Sequence, residues 1–244
     1  MKYWLSTIYS VDAYIYIRFH GTNIVSYLFE MSNYSKVSYK DFWEEKYLTN
    51  YTPWDIGEVA PAFIKYFTKE QNQEKKHINV AVLGCGRGHD AFYIANHKKS
   101  SIVYGFDFSY NAIRFCNKKK NEINSESNTY FHQVDFFELV NEKKWSTFFD
   151  LVIEHTSLCA IEPKRRGEYV NLIKYLLKPK GLLIGLFFMR PKELSGPPYG
   201  STPDEIRTLL QEGFTEIEKL HIEECLHKNK LEGDEYFGVF ERMS

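Results

Sequence analysis

Two short apolar runs joined by a glycine-rich turn constrain this chain more than any other feature in it. Val80-Ala81-Val82-Leu83 leads into Gly84-Cys85-Gly86-Arg87-Gly88-His89-Asp90, and a second apolar run closes on Gly105-Phe106-Asp107. A buried strand, a glycine turn, a helix and a second strand ending in an acid make up a βαβ unit of the kind that holds an adenosine-containing cofactor. The spacing of the glycines narrows the choice. Dinucleotide-binding turns run G-x-G-x-x-G, whereas here His89 takes the last position of that longer pattern. No approach for a pyrophosphate is completed, which disfavours NAD and FAD. The shorter turn suits a cofactor without phosphates, met by backbone at its amino-acid end and by a carboxylate at its ribose. S-adenosylmethionine is such a cofactor, and it is the one expected.

Composition sets outer limits. A chain of 244 residues is long enough for one domain with a full core and an appendage. Its formal net charge of -1 lacks the basic excess of nucleic-acid binders, so no nucleic-acid partner is expected. The four cysteines, Cys85, Cys116, Cys159 and Cys225, form no CxxC pair and no metal-ligand pattern with histidine. No metal site is expected, and a reduced, cytoplasmic setting is the natural reading. Cys85 and Cys159 read as small packing residues in tight turns. The basic run Lys118-Lys119-Lys120 reads as a solvated helix end.

The first thirty residues stand apart. They are apolar and aromatic but interrupted by Asp12, Arg18 and His20, and no unbroken run approaches the roughly twenty residues that span a bilayer. A secretory signal would also need an unbroken apolar stretch and a small-residue cleavage site. Residues 1–30 are therefore read as an extension, either an ordered extra element or a consequence of an upstream start. Met31, before the polar stretch Ser32-Asn33-Tyr34-Ser35, is the expected functional start of a domain running from 31 to 244.

Beyond it, strands and helices alternate. Helices are expected at Tyr39–Lys46, Ala60–Lys69, His89–Asn96, from the Ser109 cap to Lys120, at Arg165–Leu177, and after Thr202 with Pro203 at its first position. Parallel strands are expected at Ile78–Leu83, Ile102–Phe106, Tyr130–Val134, Phe148–Glu154 and Leu182–Phe188. Two last β-rich runs, Thr215–Glu223 and Glu235–Arg242, suit a closing hairpin. The sum is an α/β, Rossmann-like, doubly wound and mostly parallel sheet with a C-terminal antiparallel strand.

Several separate motifs then stand in a telling order. Trp54-Asp55-Ile56-Gly57 follows Thr52-Pro53, the glycine turn comes next, then Glu154-His155-Thr156, Cys159-Ala160-Ile161-Glu162-Pro163 and Gly196-Pro197-Pro198-Tyr199. Between Tyr39 and Arg242 the chain resembles the thiopurine S-methyltransferase family, most of all its thiocyanate, halide and thiol methyltransferase branch. The resemblance implies a class I methyltransferase fold with S-adenosylmethionine as donor. It places Trp43, Tyr47 and Trp54 where family aromatics cover the cofactor, although the branch carries a tryptophan at the position of Tyr47. Aromatic faces attract a sulfonium cation and exclude water; as plain residues, the same rings also suit a core or a hinge. It further implies Gly84 at the methionine end, Asp107 on the ribose, Asp135 and Phe136 beside the adenine, and His155 in contact with the cofactor. His155 reads equally as a satisfied structural histidine. On the acceptor side stand Arg166, otherwise a helix-surface arginine, and Tyr199 in a Pro/Gly-set loop.

The expected chemistry is direct in-line displacement of methyl onto a small soft nucleophile: a thiol or thiolate, thiocyanate, a halide or a thiopurine sulfur. Such a nucleophile needs no general base, and alignment and desolvation carry the rate. Two other readings stay open. One is a small-molecule N- or O-methyltransferase with His155 or Asp135 as base; the other is a non-catalytic S-adenosylmethionine-binding protein. The partner in the favoured reading is a small molecule, not a membrane, and a monomer is expected.

Overall fold

The computed structural model describes residues 8–11, 14–17, 39–69, 77–123, 128–191, 196–226 and 233–244. Most of residues 1–38 and all of 70–76, 124–127, 192–195 and 227–232 lie outside the described residues. Residues 1–42 form one compact unit and residues 43–244 a second. Within the first, strands β1 (Ile8–Val11) and β2 (Tyr14–Ile17) pair antiparallel, with Ile8 opposite Ile17. Helix α1 (Tyr39–Leu48) runs across the division.

The second unit is a seven-stranded sheet. Helix α2 (Pro61–Lys69) precedes β3 (Ile78–Leu83), α3 (His89–His97), β4 (Ser101–Asp107), α4 (Tyr110–Glu122) and β5 (Thr129–Gln133). There follow β6 (Phe149–His155), a single helical turn α5 (Ser157–Ala160), α6 (Arg166–Leu176), β7 (Leu177–Met189), α7 (Pro203–Leu210), β8 (Phe214–Glu223) and β9 (Asp234–Arg242). The strand order is β5-β4-β3-β6-β7-β9-β8. Neighbours from β5 to β7 run parallel, and β9 is antiparallel to both β7 and β8. This is the expected doubly wound sheet with one reversed strand.

Both faces of the sheet are covered, so its central strands read as continuous apolar runs rather than alternating ones. From β3, Val80 and Val82 join Phe63 and Phe67 of α2 and Ile94 of α3 in one core. Ala81 and Leu83 face the other way, into a core with Tyr169, Leu172, Ile173 and Leu176 of α6. Those four residues of α6 recur at helical spacing and form one buried face. Each such large apolar side chain contributes roughly 1.5–3 kcal/mol when fully buried.

Helix ends follow local chemistry. The Ser109 hydroxyl accepts from the Ala112 N–H at 3.1 Å, and Thr202 with Glu205 forms a reciprocal capping box in front of α7. One boundary departs from expectation. The chain passes from α6 directly into β7 at Leu177, five residues before the strand expected at Leu182. Leu177 pairs with Phe149, the register then slips, and Leu182 pairs with Leu151. Lys178-Pro179-Lys180-Gly181 ends the helix as expected but does so as an irregularity within the sheet. Lys178 Nζ is anchored 2.9 Å from both carboxylate oxygens of Asp150.

The topology also places the site. From β3 the chain winds outward through β4 and β5, then returns to the other side of β3 through β6 and β7. The carboxyl ends of β3 and β6 therefore flank the point where winding reverses, where open α/β sheets bind ligands.

Candidate active site

The glycine turn springs from the end of β3. Gly84, Gly86 and Gly88 all have positive φ, at 61°, 51° and 73°. At two of them a side chain would also displace a neighbour. A Cβ on Gly84 would lie 2.4 Å from Ser157 Oγ, and one on Gly86 would lie 2.8 Å from the Tyr47 hydroxyl. Ser157, at the start of α5, in turn donates to the Leu83 carbonyl at 2.7 Å. The turn thus presents bare backbone, closed below by α5 and above by α1.

Asp107 ends β4 behind this turn. One carboxylate oxygen accepts the Gly86 N–H and the other the Ser109 N–H, each at 2.9 Å. Burial raises its pKa, the two backbone donors pull it down, and nearby Glu44 pushes it up again, leaving it at about 6. Each oxygen retains a further lone pair for a ligand hydroxyl. Glu44 accepts from the Asn111 side chain at 2.6 Å, while its second carboxylate oxygen is buried with no hydrogen bond among the described residues.

Helix α1 and the segment after it carry the aromatic wall: Trp43 and Tyr47 lie on α1 and Trp54 on the segment between α1 and α2. Trp54 packs edge-on against Trp43 at 4.9 Å and against Tyr47 at 5.9 Å, and its indole N–H donates to the Tyr47 hydroxyl at 3.4 Å. Tyr47, Trp54, Gly84 and His155 line a single cleft together with Asp55, Arg87 and Asp90. Trp43 stands behind Trp54.

His155 closes the opposite wall, at the end of β6. Its Nδ1 lies 2.8 Å from Asp90 Oδ2 and its Nε2 lies 3.6 Å from Glu235 Oε1. Burial alone would lower its pKa, but the two carboxylates outweigh that and push it up to about 10. His155 is therefore an imidazolium at neutral pH, with both ring N–H groups turned toward acids. Next to it Glu154 is fully buried; it accepts from the Leu158 N–H at 2.9 Å and from the Tyr169 hydroxyl, and so fixes α5.

The other anticipated residues stand elsewhere. Asp135 is exposed and caps a 3-10 turn, accepting from the Phe137 N–H at 3.0 Å. Phe136 is buried against Phe137 and Tyr169, with its ring edge reaching toward Gly84. Arg166 and Tyr199 form a separate cluster. The guanidinium donates to the carbonyls of Gly200 and Tyr199, both at 3.1 Å, and the Tyr199 N–H donates to the Cys159 carbonyl at 2.6 Å. Arg166 is nearly buried, not a helix-surface residue, and its terminal nitrogens are engaged by the loop. Burial pushes the Cys159 and Cys85 thiols up, in keeping with packing rather than reactivity.

Sequence reasoning passed over Asp55, Arg87, Asp90 and Glu235. A signal for Glu235 exists: it shares the inward face of β9 with Phe237 and Val239, where an acid is out of place.

The thiopurine S-methyltransferase family model matches residues 38–243 of this sequence. The chain belongs to the thiopurine S-methyltransferase family. It is 30% identical over 203 residues to a probable thiol methyltransferase 2 of Arabidopsis thaliana, covering 83% of this chain and 85% of that protein. Thiocyanate methyltransferase 1 of the same plant is 30% identical, over 72% of this chain and 74% of its own. A thiopurine S-methyltransferase of Vibrio cholerae is 29% identical, over 70% of this chain and 80% of its own. Among solved structures, the magnesium protoporphyrin IX methyltransferase of Synechocystis with bound S-adenosylmethionine superposes with a TM-score of 0.63 at 17% identity, covering 84% of this chain and 97% of that one. As a member of the thiopurine S-methyltransferase family, the protein is an S-adenosylmethionine-dependent methyltransferase.

Proposed function

We propose that this methyltransferase transfers methyl to a small soft nucleophile, a thiol or thiolate, thiocyanate, a halide or a thiopurine sulfur, by direct in-line displacement. The observation that carries the reading is the geometry around His155, which lies 2.8 Å from Asp90 and 3.6 Å from Glu235. With both ring nitrogens facing Asp90 and Glu235 and the proton held to about pH 10, it has no lone pair to offer as a base. Asp135, the other base considered, caps an exposed turn. A nitrogen or oxygen acceptor that must lose a proton finds no support from either residue. A soft anion needs none.

The residues present fit S-adenosylmethionine. Gly84 and Gly86 offer backbone where a Cβ would clash. Asp107, once ionised, accepts from paired hydroxyls in a dry site. Trp43, Tyr47 and Trp54 give a cation-attracting, water-excluding wall. Asp135 and Phe136, just past β5, are assigned to the adenine side, and His155 to the methionine end. When bound, the cofactor supplies a methyl group activated by its sulfonium. Every other contribution comes from the chain, which aligns the acceptor and removes its water. Arg166 is assigned to the acceptor side, where its hydrogen bonds to the Tyr199 and Gly200 carbonyls shape the loop. The relatives named for thiol, thiocyanate and thiopurine substrates support the soft-acceptor class.

Methyl-labelled S-adenosylmethionine incubated with a panel of thiols, thiocyanate, iodide, thiopurines, amines and phenols tests this directly. Label is expected in the sulfur or halide products. Label only in amine or phenol products would contradict it, and tight cofactor binding with no transfer to any acceptor would favour a non-catalytic binder.

A further inference from the structure

Asp55 belongs to none of the roles assigned above, yet it is the best-connected acid of the cleft. It sits on the segment between α1 and α2, directly after Trp54. Its Oδ2 accepts from Arg87 Nη1 at 2.9 Å, and its Oδ1 accepts from the Gly57 N–H at 2.8 Å and lies 3.1 Å from His89 Nε2. Arg87 also donates through Nη2 to the Asn50 side-chain carbonyl at 2.8 Å. One guanidinium therefore grips the segment at two points five residues apart. The Asp55 side chain is only 8% exposed and that of Arg87 21%. Burial alone would raise the Asp55 carboxyl, but the His89 and Gly57 donors and the Arg87 charge hold it at about 2.

The partners lie on two different parts of the site. Arg87 stands in the turn itself, between Gly86 and Gly88, both with positive φ. Asp55 stands on the segment between α1 and α2, next to Trp54. Around Trp54 the segment's backbone hydrogen bonds are short-range turns such as Asp55 N–H to the Thr52 carbonyl at 3.0 Å; its long-range backbone tie comes further on, where Ile56 and Val59 pack against the core and the Ala60 N–H donates to Asp90 at 3.4 Å. Where its long-range ties are few a loop populates several conformations, and only those with Trp54 over the turn are competent to bind.

We propose that Asp55 and Arg87 form a latch that holds Trp54 against Tyr47 over the glycine turn, making both of them positioning residues for S-adenosylmethionine. The latch rests on the reading of this cleft as the cofactor's. It acts by pre-organisation: the apparent dissociation constant equals the intrinsic one divided by the competent fraction, so a latch that keeps the wall closed preserves affinity. If release lowers the closed population to about one tenth, affinity falls about tenfold. Once the cofactor is bound and the wall closed, the turnover step proceeds as before.

The test uses the full chain with Asp55→Asn, Arg87→Met and the double variant, titrated with S-adenosylhomocysteine by calorimetry alongside tryptophan emission and melting curves. Each single variant is expected to weaken binding about tenfold, to raise KM for S-adenosylmethionine by a similar factor while kcat at saturation changes no more than about twofold, and to make tryptophan emission in the free protein more quenchable by acrylamide. The double variant is expected to be no weaker than either single one, and Arg87→Lys to recover part of the loss. Binding within twofold of wild type in both single variants, with unchanged tryptophan emission, would overturn the latch while leaving the cofactor site standing. So would additive losses in the double variant. Should Asp55→Asn fail to fold, Arg87→Met, whose side chain reaches solvent, decides alone. A wild-type chain that does not bind S-adenosylhomocysteine would overturn the cleft assignment and the latch together.

Discussion

His155 shows how a residue's neighbours decide its role. Histidine at the carboxyl edge of a parallel strand invites a reading as a base, but Asp90 and Glu235 convert it into a fixed cation. That has a thermodynamic consequence with a definite sign. An unfolded histidine titrates near 6.5, whereas the folded one holds its proton to about pH 10. The stabilisation is therefore complete below about pH 6.5 and is lost as pH rises through 10, by up to about 1.4 kcal/mol per pH unit. Glu235→Gln removes one of the two counter-charges. The stability difference between wild type and this variant, from urea unfolding, is expected to be largest near pH 7 and to shrink toward pH 10. A difference that stays constant across that range would contradict the imidazolium.

At the scale of elements, most of the architecture is legible in the sequence because local signals and global fold agree. The apolar runs of β3, β4, β6 and β7, the Ser109 and Thr202 caps and the order of alternation all point one way. Where the reading fell short, the cause is physical. Leu177 starts β7 without a loop because sheet pairing with Phe149 overrides the breaker sequence that follows. The four residues of α5 are too few to show a helical period, although Glu154 and Ser157 build the floor under Gly84 from them. The site divides in the same way. Gly84, Asp107 and the ring positions lie in contiguous motifs and could be named. The pairs Asp55–Arg87 and Asp90–His155 join residues 32 and 65 positions apart, and no local pattern reports such contacts.

For the whole molecule, the matched family region begins at residue 38, and the unit of residues 43–244 contains the complete sheet and the cleft. We propose accordingly that the functional domain runs from Met31. A chain starting there is expected to match the full one in melting temperature and in S-adenosylhomocysteine affinity; a markedly lower melting temperature would show that residues 1–30 contribute to the fold. We propose that this unit is an S-adenosylmethionine-dependent methyltransferase whose acceptor arrives as its own nucleophile. The measurement that bears on it most directly is the rate at subsaturating acceptor as a function of pH, taken for a series of thiols of differing acidity. Every member should share a fall below about pH 6, where Asp107 takes up a proton. Above that, the rate should climb to an inflection at each thiol's own pKa, near 8.5 for an unperturbed cysteine-like thiol, and move with the thiol. One inflection at the same pH for every acceptor, abolished by His155→Ala, would show general-base catalysis by the enzyme and contradict the account.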